Sequence, residues 1–137
     1  MLMTKLMING DTVDATYCGK ASEVEEMYDF SYYCKLDINN WRLHDYHDDD
    51  VMTPIYIEAW LEGVYYYDYN YDYGFSGVDY SYVKVSNVSI RKIVSKDPKY
   101  QTYFDEHRND EGLWLRDALD EDEDLVKEFF RDVRFVR

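Results

Sequence analysis

Hydrophobic and polar positions alternate most regularly between Pro54 and Glu62. Ile55, Ile57, Ala59 and Leu61 fall on one side of this run, and Tyr56, Glu58, Trp60 and Glu62 fall on the other. A period of two sends successive side chains to opposite faces, so the run predicts a half-buried strand. Val78 to Ser95 alternates less cleanly but is dense in Val, Ile, Tyr and Ser, which predicts a second long strand with a bulge near Asn87. The two would pair as a hairpin whose tip lies near Tyr71 to Gly77, with Gly74 and Gly77 making the turn. Upstream, Asn9-Gly10 is the strongest two-residue hairpin signal. It separates Lys5 to Ile8 from Thr12 to Cys18, predicting a first hairpin. Ser22-Glu23-Val24-Glu25 has the capping-box spacing and allows a short helix before Tyr28, while Phe30 to Ile38 reads as a strand that stops at Asn39-Asn40.

The pattern changes after Ser95. Asp97-Pro98 is a helix start, with Asp at the N-cap and Pro at the first helical position. Tyr100, Tyr103, Phe104 and His107 give that helix an apolar side. Asp110 caps a further segment carrying Leu113, Trp114, Leu115, Ala118 and Leu119. Leu125, Val126, Phe129, Phe130 and Val133 then repeat at helical spacing, predicting a last helix through Val133. Arg131, Arg134 and Arg137 would sit at its C-terminal end, where the macrodipole favours cations. Burying such a stripe gains about 1.5–3 kcal/mol per large apolar side chain as a gross transfer term, so the helices are expected to pack on the sheet. The expected class is α+β in one domain over residues 1–137. An antiparallel sheet of four or five strands fills 1–95, and two or three helices fill 97–137.

Charge changes this picture more than composition does. The 137 residues carry 29 Asp plus Glu against 15 Lys plus Arg, a formal net charge of −14, yet 46% of residues are hydrophobic and 16 are Tyr. That is a globule and not a disordered acidic tail. The balance argues strongly against nucleic acid and anionic membrane surfaces as direct partners, because both would be repelled. The acids are clustered. From Glu23 to Asp50 there are nine against Lys35 and Arg42, and from Asp105 to Asp124 there are ten against Arg108 and Arg116. Asp120 can cap a helix and Glu121 to Asp124 can fill its first turn, but five acids in a row exceed what a helix start uses. Two cysteines, Cys18 and Cys34, at no metal or redox spacing, are expected as free and mostly buried thiols of a cytoplasmic protein. No apolar run is long enough to span a membrane, and the start has no long apolar leader.

Candidate chemistry is sparse. His44, His47 and Asp48 would share one side of a helix and could ligate a divalent metal, but an acidic loop with stray His is the plainer reading, so no metal or other cofactor is expected. Asp120 to Asp124 has the start of an EF-hand loop without its Gly, since Leu125 stands at the sixth position. No nucleophile elbow, phosphate loop, dinucleotide fingerprint or zinc-protease motif occurs, and the chain is read as no enzyme. The most unusual feature is the tract Tyr65-Tyr66-Tyr67-Asp68-Tyr69-Asn70-Tyr71-Asp72-Tyr73. As a strand it would put the odd-numbered tyrosines on one face, either covering the core with hydroxyls at the rim or forming a contact surface.

Carboxylates at i and i+2 of a strand lie about 6.6 Å apart, and those at i and i+3 or i+4 of a helix about 5–6 Å between Cβ atoms. Such arrays approximate a line of phosphates. In being small, acidic, aromatic-rich and cysteine-poor, the chain resembles the phage-encoded DNA-mimic proteins that block restriction, recombination or CRISPR nucleases. The resemblance is to a functional class whose members have unrelated folds. It implies a non-catalytic inhibitor in the host cytoplasm, with a nuclease or CRISPR-type complex as the partner. The expected contacts are Asp45, Asp48, Asp49 and Asp50, then Tyr67, Asp68, Tyr69, Tyr71 and Asp72 of the tyrosine tract. Asp105, Glu106, Asp110 and Glu111, and the run Asp120, Glu121, Asp122, Glu123 and Asp124, complete the set. The alternative is a protein–protein or assembly module that uses the tyrosines for contact and the acidity for solubility.

Overall fold

A computed structural model of the chain describes residues 3–38, 55–68, 81–106 and 113–136. The strands are β1 (Met3–Ile8), β2 (Asp11–Lys20), β3 (Glu25–Ile38), β4 (Ile55–Asp68) and β5 (Tyr82–Ser95). Three short helices follow, α1 (Pro98–Glu106), α2 (Leu113–Glu121) and α3 (Glu123–Phe129), and then a last strand, β6 (Val133–Phe135). The strands form one antiparallel sheet in the order β5-β4-β3-β2-β1-β6, so the fold is α+β with six strands where four or five were expected. The sixth strand comes from the C-terminus, which the sequence assigned to a helix.

By internal contacts the chain divides into two compact units. The first contains Met1–Tyr32, Glu62–Ser86 and Phe130–Arg137. Its hairpin forms where expected: Ile8 faces Asp11 across a two-residue turn in which Asn9 (φ 52°) and Gly10 (φ 88°) both lie in the left-handed region. Asn tolerates that conformation and Gly adopts it freely, as a type I′ turn demands. Ser22 is not a helix cap. Its Oγ accepts a hydrogen bond from the Val24 amide, and the amides of Ala21 and Ser22 donate to the Glu25 carbonyl, closing a turn from β2 into β3. The side-chain hydroxyl that a capping box would use serves this turn instead. Register shifts between Tyr17 and Gly19, at Gly19's φ of 132°.

The C-terminal correction has a specific cause. Asn9 Oδ1 accepts hydrogen bonds from the amides of Arg131 (2.9 Å) and Asp132 (3.1 Å), while the Asn9 amide donates to the Asp132 carbonyl (2.8 Å). These bonds take over the backbone just after α3 ends at Phe129, and Val133 to Phe135 then pair with Ile8 to Leu6 of β1. Arg131 and Arg134 therefore lie beyond the helix, and Arg134 is in the strand. The Phe135 ring packs edge-on against Tyr28 (5.0 Å between centroids), Tyr65 (5.7 Å) and Tyr67 (4.8 Å).

The second unit contains Tyr33–Leu61 and Asn87–Phe129. Along its part of β4, Ile55, Ile57, Ala59 and Leu61 are fully buried, as the alternation predicts. In β5 the buried positions change parity between Val85 and Val88, at the place where a bulge was expected. Helix α1 begins at Pro98, with Asp97's carbonyl accepting from the Gln101 amide (3.0 Å). The helices bury Tyr100, Phe104, Leu115, Leu119, Leu125 and Phe129, whereas Leu113, expected on the apolar side of α2, is 50% exposed.

Candidate partner-binding surface

The ends of the helices are where charge and local structure disagree. Acids stabilise the first turn of a helix and destabilise the last, because the macrodipole is positive at the N-terminus and negative at the C-terminus. Helix α2 ends in Asp120-Glu121, and α1 is described as far as Asp105-Glu106. Among the described residues, α2 has no base in its last turn and α1 no acid in its first. Helix α3 follows the rule, with Glu123 and Asp124 in the first turn and Lys127 in the last. The cap of α3 is Asp122 and not Asp120: its Oδ1 accepts from the amides of Asp124 (3.0 Å) and Leu125 (3.2 Å). The exposed run Asp120 to Asp124 thus joins two helices, and of its five carboxylates one caps and two sit in a favourable first turn. Asp105 accepts a hydrogen bond from Gln101 Nε2 (3.2 Å), and Asp117 is paired with Arg116 (3.3 Å), both at exposed positions.

All of these carboxylates belong to the second unit, in which 18 acids oppose 9 bases; the first has 11 against 6. In the same unit, the outward line of β4 carries Tyr56, Glu58 and Trp60. The Tyr56 hydroxyl donates to Glu58 Oε1 (2.8 Å), and that bond raises the Tyr56 pKa above its ordinary value, with a smaller contribution from desolvation. Trp60 is 41% exposed, with its ring 5.1 Å from that of Tyr33.

In the first unit, Tyr65 is buried and Tyr67 half-buried against Phe135, so the described odd positions of the tyrosine tract face inward. Tyr66 points the other way and stacks on exposed Tyr82 (4.7 Å, 7° between planes). The Asp68 amide donates to Ser81 Oγ (3.3 Å). An open trough of about 400 Å³ is lined by Asp14, Asp29 and Glu62 together with Thr16, Ser31 and Ser86. Asp14 there is paired with Lys5 (3.5 Å). Asp45, Asp48, Asp49, Asp50, Tyr69, Tyr71, Asp72, Asp110 and Glu111 lie outside the described residues, as do His44, His47 and the expected hairpin tip.

Cys34 is buried as expected, and desolvation pushes its thiol up to about 11; Cys18 is exposed, contrary to expectation. Among the described residues no group of three or more His, Cys, Asp and Glu side chains could hold a metal ion, and no helix is long and apolar enough to cross a membrane. What sequence reasoning missed is the polarity of the end of α2, which depends on where that helix stops. No protein-family model, curated protein or solved structure matches the chain.

Proposed function

We propose that this chain is a non-catalytic inhibitor that occupies the basic nucleic-acid-binding surface of a DNA- or RNA-handling complex, of the anti-restriction or anti-CRISPR type. The observation that carries this reading is the pair of carboxylates Asp120-Glu121 at the C-terminal end of α2, where the macrodipole is negative. Solubility is served by acids anywhere on the surface, and helix stability is served by acids in the first turn. Asp120-Glu121 oppose the dipole of their own helix, so helix stability does not account for their placement. A basic groove that otherwise holds phosphates supplies an explanation. The partner is a protein, bound without direct contact of the chain with nucleic acid. The tyrosine-faced alternative has less support, because Tyr65 and Tyr67 are engaged with Phe135.

The test uses the immobilised chain to capture proteins from a bacterial lysate, with duplex DNA as competitor. The expected result is retention of a nuclease, helicase or guide-RNA complex that duplex DNA displaces. A quadruple variant, D105N/E106Q/D120N/E121Q, should lose most of that retention. Retention unaffected by both DNA and the quadruple variant would overturn the reading.

A further inference from the structure

We infer that Trp60 is a docking site for an arginine side chain of a basic protein surface, its indole receiving the guanidinium and Glu58 the ion pair. This inference rests on the proposed function and names the chemistry by which the partner is held. Lys35 Nζ lies 5.8 Å from the centroid of Tyr33, and Lys92 Nζ lies 5.9 Å from that of Tyr56. The Tyr33 ring that touches Trp60, and Tyr56 on the same side of β4, therefore already carry cations at the distance where the ring quadrupole attracts them. Trp60, the strongest cation acceptor among the aromatic residues, carries none among the described residues and is 41% exposed.

Two contacts prepare the site. Tyr33 meets the Trp60 ring at 5.1 Å and 53°, which fixes the indole with its exposed part toward solvent. Two positions before Trp60 on the same side of β4, Glu58 takes one hydrogen bond, from Tyr56, at Oε1. A carboxylate has about four lone-pair sites, so capacity for an incoming donor remains. Arginine fits this pair better than lysine, because its planar, weakly hydrated guanidinium stacks on an indole and forks onto a carboxylate at once. Charge complementarity points the same way, with 18 acids against 9 bases in this unit. In a groove built for nucleic acid, such an arginine would otherwise meet a base and a phosphate. Trp60 and Glu58 present a ring and an anion in their place.

The test titrates the full chain with nona-arginine and, separately, nona-lysine at the same pH and ionic strength. Calorimetry gives the affinities, and the indole N–H resonance of Trp60 reports the site. The native chain should bind nona-arginine about threefold to tenfold more tightly than nona-lysine, and the Trp60 resonance should move only with the former. Trp60→Leu should abolish the preference, Trp60→Tyr should keep part of it, and Glu58→Gln should reduce it. Thermal melts of each variant check the fold. Equal affinities in the native chain, or a preference that survives Trp60→Leu, would overturn the site while leaving the proposed function standing. Binding of neither peptide would overturn both. A native dimer that Trp60→Leu converts to monomer would also overturn the site, because its occupant would then be a second copy of this chain.

Discussion

Cys34 and Cys18 differ by one property, burial, and their chemistry should separate accordingly. Cys34 is fully buried and its pKa is raised from 9.0 to about 11 by desolvation, with weaker opposing backbone hydrogen bonds. The exposed Cys18 thiol is also raised, by desolvation and then by Asp29. A thiol whose folded pKa exceeds its unfolded value binds more protons when folded, so stability falls as pH rises. For Cys34 that loss begins near pH 9 and is complete above about 11, amounting to about 3 kcal/mol. Tyr28, raised to about 12 by desolvation and by Glu26, extends the decline in the same direction from pH 10. Urea unfolding between pH 8 and 12 should show this alkaline limb, and Cys34→Val should flatten its lower half. In the native state iodoacetamide should modify Cys18 and spare Cys34; equal labelling of both would contradict the burial. The sequence places both residues in strands, but whether each is buried depends on neighbours it does not reveal. Cys34 falls on the buried alternation of β3. Cys18 falls on the outward line of β2 with Thr12, Asp14 and Thr16.

At the scale of elements, local signals were legible wherever local interactions decide the outcome. Asn9-Gly10, the Ile55 to Leu61 alternation and Asp97-Pro98 each act within a few residues, and each produced the expected element. The end of α3 was not legible, because Leu125, Phe129 and Val133 fit a helical stripe equally well. What ends the helix is a hydrogen-bond partner 122 residues away in sequence, the Asn9 side chain. The charge arrays were legible as clusters, but not their position relative to the helix ends. That position yields a stability expectation of mixed sign. Asp122→Ala removes an N-cap and should lower stability by about 0.5–2 kcal/mol. Asp120→Asn with Glu121→Gln relieves repulsion at the α2 C-terminus and should raise it by about 0.3–1 kcal/mol per residue. Thermal denaturation of the two variants decides the matter. If both melt below the native chain, the carboxylates of α2 serve the fold, and the reason to assign them to a partner disappears.

Across the whole molecule, one cause should produce two opposite salt effects. A net charge of −14 repels itself in the compact state, and salt screens that repulsion. The ion pairs that salt would weaken are exposed ones such as Lys5–Asp14 (3.5 Å) and Arg134–Asp132 (3.5 Å), which contribute little. Raising the salt concentration should therefore raise the melting temperature. Association with a basic partner should respond in the other direction, because the field that destabilises the fold steers the encounter. With nona-arginine as the probe, stopped-flow association between about 0.05 and 0.5 M salt should slow at least tenfold. The quadruple variant at the helix ends should melt higher at low salt and lose part of the salt dependence of association. A chain whose acidity served solubility alone would lose no more of that salt dependence in the quadruple variant than in a variant neutralised at four carboxylates elsewhere. The combination therefore separates a negative surface held in readiness for a partner from one that only keeps the protein in solution.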